Sequence, residues 1–183
     1  MKVILIGAGR LATNLGKALL EAGHDILQVY IRTMESASAL ATLAGGAPVT
    51  EIEKVRKDAD VYIISVKDSV LPDLVQALCS GRSTKVFLHT AGSVNMDVFA
   101  GMALHYGVFY PMQSFSKEKT VSFHDIPCFV EANDDYARDV LMQLAQGLTT
   151  KIYQLSSEDR KYLHLSAVFA CNFVNHCYAV SYD

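Results

Sequence analysis

Short apolar runs alternate with longer amphipathic stretches along the first 155 residues of the chain. The apolar runs predict buried strands over residues 3–6, 26–31, 61–66, 86–89, 106–110, 128–131 and 152–155. The stretches between them predict helices, one directly after the first strand and others over residues 33–43, 52–57, 68–78 and 135–146. Because strands separated by helices form parallel sheets with right-handed crossovers, the pattern predicts an α/β fold with a doubly wound, mostly parallel sheet.

The last segment has a different pattern. From Ser156 to Asp183 the chain contains neither proline nor glycine, and its first four residues are typical of a helix start. The segment predicts one long helix of roughly 40 Å. Apolar residues lie nearly all round this helix, so it must be buried by further protein. We therefore expect two domains, residues 1–155 and 156–183. The second would be the first helix of an all-helical domain that continues past Asp183 or is covered by a second subunit.

Composition and charge argue against several classes of function. Hydrophobic residues make up 51% of the 183 residues, and the net charge of −3 provides no basic surface for nucleic acid. No apolar run approaches the ~18 residues of a membrane span, and the apolar start is too short for a signal peptide. The four cysteines lack metal-ligand spacing and are expected to be reduced and buried: Cys79, Cys128, Cys171 and Cys177. We expect a cytoplasmic protein without a metal site.

The turn between the first strand and the first helix carries the clearest chemical signal. Its sequence, Gly7-Ala8-Gly9-Arg10-Leu11-Ala12, fits the dinucleotide pattern G-x-G-x-x-G/A. Gly7 permits the tight turn, Gly9 lets a pyrophosphate approach the backbone, and Ala12 lets the helix pack closely on the strand. The N-terminus of the helix offers free N–H groups and a positive dipole end to the phosphates. The turn therefore predicts a dinucleotide site.

The end of the second strand indicates which dinucleotide binds. NAD-binding proteins place Asp or Glu about 20 residues beyond the glycines, on the adenosine ribose. This chain has Arg32 and Thr33 there, with Ser36 close behind. Because a guanidinium holds a 2′-phosphate that a carboxylate would repel, these residues predict NADP(H). The alternative is that Arg32 is a solvated residue at a strand end.

Further candidates follow the third and fourth long strands, where ligands of such sheets bind. We expect Val66-Lys67-Asp68 beside the nicotinamide ribose, although Lys67 and Asp68 fit an exposed turn and helix cap equally well. The small-residue loop Thr90-Ala91-Gly92-Ser93 is placed to approach the nicotinamide or the substrate. The preceding His89, on an apolar strand end, favours a core histidine bonded to the backbone over a catalytic one.

These motifs resemble those of a superfamily that includes pyrroline-5-carboxylate reductase, the 6-phosphogluconate and β-hydroxyacid dehydrogenases and the deazaflavin-dependent NADP oxidoreductases. The closest resemblance is to bacterial NADP oxidoreductases in which a Rossmann-like domain precedes a helical domain of unknown function. It is carried by the glycine turn with Arg32-Thr33, by residues 89–93 followed by residues 110–115, and by residues 164–173. In the superfamily the helical domain forms the dimer and closes the active site. The resemblance therefore implies a homodimer that acts on a small molecule.

The resemblance also bears on catalysis. The β-hydroxyacid dehydrogenases carry a catalytic lysine four residues before an asparagine of the long helix, and if Asn172 is that asparagine, Val168 occupies the lysine position. His164, one turn earlier, is the candidate proton donor, or else a polar residue packed at the domain junction. His164 and Asn172 lie about 80° apart around the helix and about 12 Å apart along it, so one substrate atom does not easily touch both. The candidate substrate-binding residues are Ser93, Gln113 and Ser114.

Two functions of different classes fit this sequence. The first is an NADP(H)-dependent oxidoreductase that transfers hydride to or from a small carbonyl or imine. The substrate would lie between residues 90–93, residues 113–114 and the long helix. The second is an NADP-binding sensor or interaction protein without turnover, since the same fold serves both.

Overall fold

Eight strands form a single sheet in this computed structural model, which describes residues 1–116 and 121–182. The strands are β1 (Lys2–Ile6), β2 (Asp25–Tyr30), β3 (Ala47–Val49), β4 (Val61–Ile64), β5 (Val86–His89), β6 (His105–Pro111), β7 (Cys128–Ala132) and β8 (Ile152–Gln154). Their order across the sheet is β3-β2-β1-β4-β5-β6-β7-β8. Neighbouring strands are parallel except β6 and β7, which are antiparallel. The predicted α/β fold with a mostly parallel sheet is confirmed.

Among the described residues, six α-helices surround and extend the sheet. They are α1 (Arg10–Glu21), α2 (Met34–Ala44), α3 (Leu71–Cys79), α4 (Asp135–Gln146), α5 (Ser157–Ala167) and α6 (Val174–Tyr182). A π-helical segment, Val168–Phe173, joins α5 to α6, so the predicted long helix is continuous but not α-helical throughout. Asp183, the last residue of that prediction, lies outside the described residues.

The helix predicted over residues 52–57 is wrong. Only a 3₁₀ turn, Ile52–Lys54, forms there, and Val55 is already extended. A buried arginine from the loop before β5 holds this segment, because Arg82 donates hydrogen bonds to the carbonyls of Ile52, Val55 and Arg56. These bonds satisfy carbonyls that a longer helix would otherwise pair, and so they stabilise the non-helical course of the chain.

Two apolar layers cover the two faces of the sheet. Successive residues of β1 point to opposite layers, as the pleat of a strand requires. Val3 and Leu5 pack in the layer that contains α1, α2 and α4, whereas Ile4 and Ile6 pack in the layer that contains α3. Since both faces of the sheet are covered, the sequence of β1 is an unbroken apolar run. A ligand can therefore reach the sheet only at the ends of its strands.

The C-terminal helix is buried at its base and exposed beyond it. Asp159 N–H donates to Ser156 Oγ at 3.1 Å, which confirms the predicted helix start. Arg160 is 1% exposed, but Phe169 and Tyr178 are 57% and 69% exposed. No helix among the described residues is long and apolar enough to cross a membrane.

The cysteines divide between these environments. Cys79 and Cys128 are buried, and burial raises the pKa of both thiols to about 12. The expectation of burial is wrong for Cys171 and Cys177, which lie on the exposed part of the C-terminal helix.

Candidate functional site

A cleft of about 760 Å³ lies at the carboxyl ends of the central strands. The glycine turn and the two loops that follow β4 and β5 meet on its walls. Of the predicted cofactor residues, the following line it: Gly7, Ala8, Gly9, Arg10, Leu11, Arg32, Val66, Lys67, Asp68, Thr90, Ala91 and Gly92. Ala12 lies beneath the wall in the core, and Thr33 and Ser36 lie outside the lining. The cleft thus collects segments that are distant in sequence, as expected for a ligand site of a doubly wound sheet.

The glycines of the turn have separate structural roles. Gly7 has a φ of +110°, and a Cβ there would lie 2.0 Å from the carbonyl oxygen of Ser65. A Cβ on Gly9 would meet no atom within 4 Å, so it would project into open space. Gly9 precedes α1 without a side chain to cap it, and the first N–H groups of α1 remain available to a phosphate.

Close packing of α1 depends on a glycine that the sequence pattern did not single out. A Cβ on Gly16 would lie 2.7 Å from Cβ of Ala44 and 3.0 Å from a methyl of Leu5. The prediction assigned close packing to Ala12, which is buried in the same layer. Gly16 extends that role by one turn, where α1 crosses α2.

Arg32 lies at the carboxyl end of β2 and is exposed on the cleft wall. Within residues 1–116 and 121–182, its guanidinium forms no ion pair. The nearest acidic residue along the chain, Glu35, lies in the first turn of α2. An exposed guanidinium on a cleft wall is a suitable partner for an anionic group of a ligand.

The loops that follow β4 and β5 are tied together by their side chains. Ser93 Oγ donates a short hydrogen bond to the carboxylate of Asp68. Lys67 begins a turn in which its carbonyl accepts from Val70 N–H at 2.9 Å, just before α3. Lys67 and Asp68 therefore lie in an exposed turn, but the N-cap of α3 is Val70 and neither side chain caps the helix. Both residues also line the cleft. Ser93, predicted to bind substrate, does not line it.

The far end of the cleft holds two groups that can carry a proton. Tyr110, at the end of β6, lies with its Oη 2.9 Å from Nδ1 of His164 on α5. Their rings meet edge to face, with centroids 5.8 Å apart. The sequence pointed to Tyr110 only as the first residue of the segment 110–115, one of those that carry the family resemblance. The contact spans 54 residues, and no local pattern indicates it.

A buried ion pair fixes α5 to the sheet below this pair of side chains. Arg160 Nη1 donates to Glu131 of β7 at 2.7 Å, and Nη2 donates to the carbonyl of Val94 at 2.5 Å. Ser157 N–H and Oγ also donate to the Glu131 carboxylate, at 2.8 and 2.5 Å. Burial of such a pair is tolerable only because each charge is hydrogen-bonded.

His89 is the core histidine that the sequence favours. It is fully buried, and its Nδ1 accepts from Ala91 N–H at 3.1 Å. Burial, helped by the charge of Arg160, lowers the pKa of His89 to about 3. The imidazole is therefore neutral at physiological pH and is no proton source for the cleft.

A second cleft, of about 720 Å³, separates the sheet from the C-terminal helix. It is lined by Arg10, Gln113, Ser114, Phe115, Cys171, Asn172, Asn175 and His176. Arg10 lines both clefts. The two candidate catalytic residues are thus divided, with His164 on the first cleft and Asn172 on the second, next to the predicted substrate residues Gln113 and Ser114.

The fold and the cleft define a Rossmann-like dinucleotide-binding protein. Residues 1–110 match the Rossmann-like domain, and residues 126–183 match a domain of unknown function, DUF2520. A structure named a "putative NADP oxidoreductase" from Bacteroides fragilis is 48% identical, with a TM-score of 0.93, over 98% of this chain and 70% of that chain. The chain therefore belongs to the family that joins a Rossmann-like domain to DUF2520, as the resemblance predicted.

More distant structures share the fold. A protein from Thermotoga maritima is 22% identical with a TM-score of 0.78, over 98% of this chain and 67% of its own. An imine reductase from Myxococcus stipitatus in complex with NADP+ is 15% identical with a TM-score of 0.72, over 98% of this chain and 63% of its own. Among proteins of curated function, none is detectably similar to this chain.

Proposed function

We propose that the protein is an NADP(H)-dependent oxidoreductase that transfers hydride to or from a small carbonyl or imine. The observation that carries the proposal is the composition of one cleft. Free helix N–H groups and an exposed arginine lie on its walls, and a hydrogen-bonded tyrosine and histidine lie at its far end. Relatives of the same fold, among them an imine reductase named as an NADP+ complex, support the assignment.

The chain's own residues fit the cofactor in three places. The pyrophosphate would lie over residues 7–11, where Gly9 leaves space and α1 offers N–H groups. Arg32 would hold the 2′-phosphate, aided by the hydroxyls of Thr33 and Ser36. The loops of residues 66–68 and 90–92 would flank the nicotinamide half. Bound NADPH would supply the hydride.

The catalytic side chains proposed for this chain lie on the two clefts. His164 faces the cofactor cleft and takes part in proton exchange with the substrate side. Asn172, together with Gln113 and Ser114, orients the substrate from the second cleft. Ser93 contributes by fixing the loop of residues 90–92 through its bond to Asp68. An extended substrate or a bridging cofactor is needed to reach both clefts.

We also propose that the protein is a cytoplasmic homodimer that pairs through its C-terminal helical region. The exposed apolar face of residues 169–182 supports pairing, because such surfaces are typical of interfaces. Free thiols on that face suit a reducing compartment. Sedimentation velocity of the full chain tests the dimer, and a monomer at micromolar concentration contradicts it.

Arg32→Asp tests the cofactor assignment. Loss of charge-assisted hydrogen bonds should weaken the NADPH complex by about 1.5–3 kcal/mol, which is about 10- to 150-fold in Kd. Fluorescence titration measures the change, and the affinity for NADH should not fall. Lys57→Asp is the matched control. Lys57 precedes β4, at the amino ends of the strands and away from the cleft, and its substitution makes the same change in net charge. If Arg32→Asp binds NADPH as tightly as the parent, the assignment to NADP(H) is wrong.

NADPH oxidation by the full chain, with a panel of small ketones, imines and 3-oxo acids, tests turnover. We expect at least one compound of the panel to be reduced. The competing function, an NADP-binding sensor, is favoured by Val168, which places an apolar side chain where related dehydrogenases carry a lysine. Tight NADPH binding without turnover, unaffected by His164→Ala, would support the sensor instead.

A further inference from the structure

Tyr110 carries a buried hydroxyl beside the cofactor cleft. Its side chain extends from the end of β6 to the cofactor cleft, and the residue is 8% exposed. Oη lies 2.9 Å from His164 Nδ1, whereas His164 itself is partly exposed. A buried hydroxyl that borders the cleft and contacts a partly exposed imidazole is arranged to carry a proton between solvent and the cleft.

A glycine makes the contact possible. A Cβ on Gly92 would lie 2.4 Å from His164 Nδ1 and 2.5 Å from Cγ of the same ring. The imidazole therefore packs directly against the main chain of the loop after β5, in space that any other residue would fill. This loop lines the cleft, so the histidine, the tyrosine and the loop meet at one point of its wall.

The helix that carries His164 is held in place by the buried ion pair described above. Arg160 lies one turn before His164, and its bonds to Glu131 and Val94 fix that turn of α5. Two charged groups act on Tyr110 from its surroundings, Arg160 from α5 and Asp68 from the loop after β4. The geometry of the Tyr110–His164 pair is thus set by the fold, without contribution from a ligand.

We propose that Tyr110 is the catalytic proton donor of the reduction and that His164 reloads it. The inference rests on the proposed function, because it assigns the proton that accompanies hydride transfer. As the substrate carbon gains hydride, the π-electron pair of its C=O or C=N bond moves to the heteroatom. The heteroatom takes the proton of Tyr110 Oη. The phenolate takes the Nδ1 proton of His164, while the partly exposed ring takes a proton from solvent at Nε2.

The electrostatics of the pair suit this direction of transfer. Burial raises the pKa of the Tyr110 phenol, and the positive charge of Arg160 opposes the rise. The phenol is therefore protonated at neutral pH. A hydrogen bond from the Nδ1–H of His164 to Oη stabilises the phenolate as it forms, which makes the phenol a stronger acid during the transfer.

Tyr110→Phe removes the hydroxyl and keeps the ring. With a compound of the panel that the parent reduces, we expect kcat to fall about 100- to 10,000-fold, the usual contribution of a general acid. The Kd for NADPH should stay within about twofold of the parent. Tyr153→Phe is the matched control, since Tyr153 lies exposed on β8 and should leave kcat unchanged. A Tyr110→Phe variant with kcat within about threefold of the parent overturns the inference while the proposed function stands.

A spectroscopic measurement needs no substrate. In the full chain labelled with ¹⁵N-histidine, the Nδ1 resonance of His164 should shift in Tyr110→Phe and stay in place in Tyr153→Phe. An unchanged resonance in both variants overturns the pair, whatever the activity. If the parent protein binds NADPH but reduces no compound of the panel, the proposed function is wrong, and the catalytic role of Tyr110 is wrong with it.

His164→Ala separates donating the proton from reloading the donor. Since Tyr110 still carries one proton, the first turnover should be slowed less than steady-state turnover. Added imidazole should restore part of the steady-state rate, which a merely structural loss would not allow. Equal loss in both phases without rescue overturns the role of His164.

Discussion

The glycine turn and the Tyr110–His164 pair occupy opposite ends of one cleft and are built in different ways. The turn consists of six consecutive residues, and its properties come from the main chain, above all the φ of +110° at Gly7. The pair joins residues 54 positions apart, from β6 and α5. It depends on Gly92 for space and on Arg160 for the position of α5. A site of local origin can be predicted from spacing, whereas one of long-range origin becomes visible only when the sheet is assembled.

The largest expected effect is on the local site. Gly7→Ala places a Cβ 2.0 Å from the Ser65 carbonyl oxygen at a positive φ. We expect a loss of about 2–6 kcal/mol in unfolding free energy, because backbone strain and steric overlap each cost about 1–3 kcal/mol. Chemical denaturation measures it, and NADPH binding should be lost along with the turn.

Gly9→Ala is the matched variant in the same turn. Its Cβ meets no atom, so the unfolding free energy should change by no more than about 1 kcal/mol, the scale of a helix-cap substitution. The methyl group would occupy the path of the pyrophosphate, and NADPH affinity should fall about tenfold or more, at least 1.4 kcal/mol. If both alanines lower stability equally, the two glycines do not have the separate roles assigned here.

The next effect concerns the long-range site. Arg160→Met leaves the Glu131 carboxylate without its cation, and breaking a buried pair in this way costs about 3–5 kcal/mol. Urea denaturation measures the change. Adding Glu131→Gln should recover part of it, because the amide removes the uncompensated charge. Folded Arg160→Met protein should still bind NADPH at the glycine turn. It should lose turnover, because the Tyr110–His164 pair depends on the position of α5. A variant as stable as the parent contradicts the role of the ion pair.

Most of the nucleotide-binding sheet could be predicted from the sequence because its strands are buried on both faces. The predicted strand over residues 86–89 and helix over residues 135–146 agree with the structure in both bounds. The helix predicted over residues 52–57 fails because the chain becomes extended at Val55, where Arg82, far along the chain, binds the carbonyls. Local propensity cannot register a competitor that arrives through tertiary contacts.

The residues of the site also differ in whether local sequence indicates them. The cleft-lining glycines, Arg32 and the loops after β4 and β5 were all identified from their positions at strand ends. Tyr110 was not, because a tyrosine at the end of an apolar strand is indistinguishable from a core residue until its partner is known. The separation of His164 from Asn172 followed from helix geometry, and the structure places them on different clefts.

A smaller effect on stability is expected where the loop after β5 meets His164, and this position is the most direct test of the comparison. Gly92→Ala would place a Cβ 2.4 Å from Nδ1 and 2.9 Å from Cβ of His164, so the base of that side chain must move as well as its ring. Because α5 holds that base in place, we expect a loss of about 1–3 kcal/mol in unfolding free energy, as for other overpacked positions. Turnover should fall about 100-fold, the effect of misplacing a catalytic group by about 1 Å. The His164 Nδ1 resonance should shift as it does in Tyr110→Phe.

Gly147→Ala is the control for Gly92→Ala, because its Cβ would meet neighbours no nearer than 3.5 Å and its φ is −71°. It should change neither turnover nor the histidine resonance. NADPH affinity should stay close to that of the parent in both variants, since the pyrophosphate end is untouched. A Gly92→Ala protein with a displaced His164 resonance and unchanged turnover would show that the histidine lies at the cleft without acting there. The long-range end of the site would then be a packing contact, and the catalytic proton would have to come from another group.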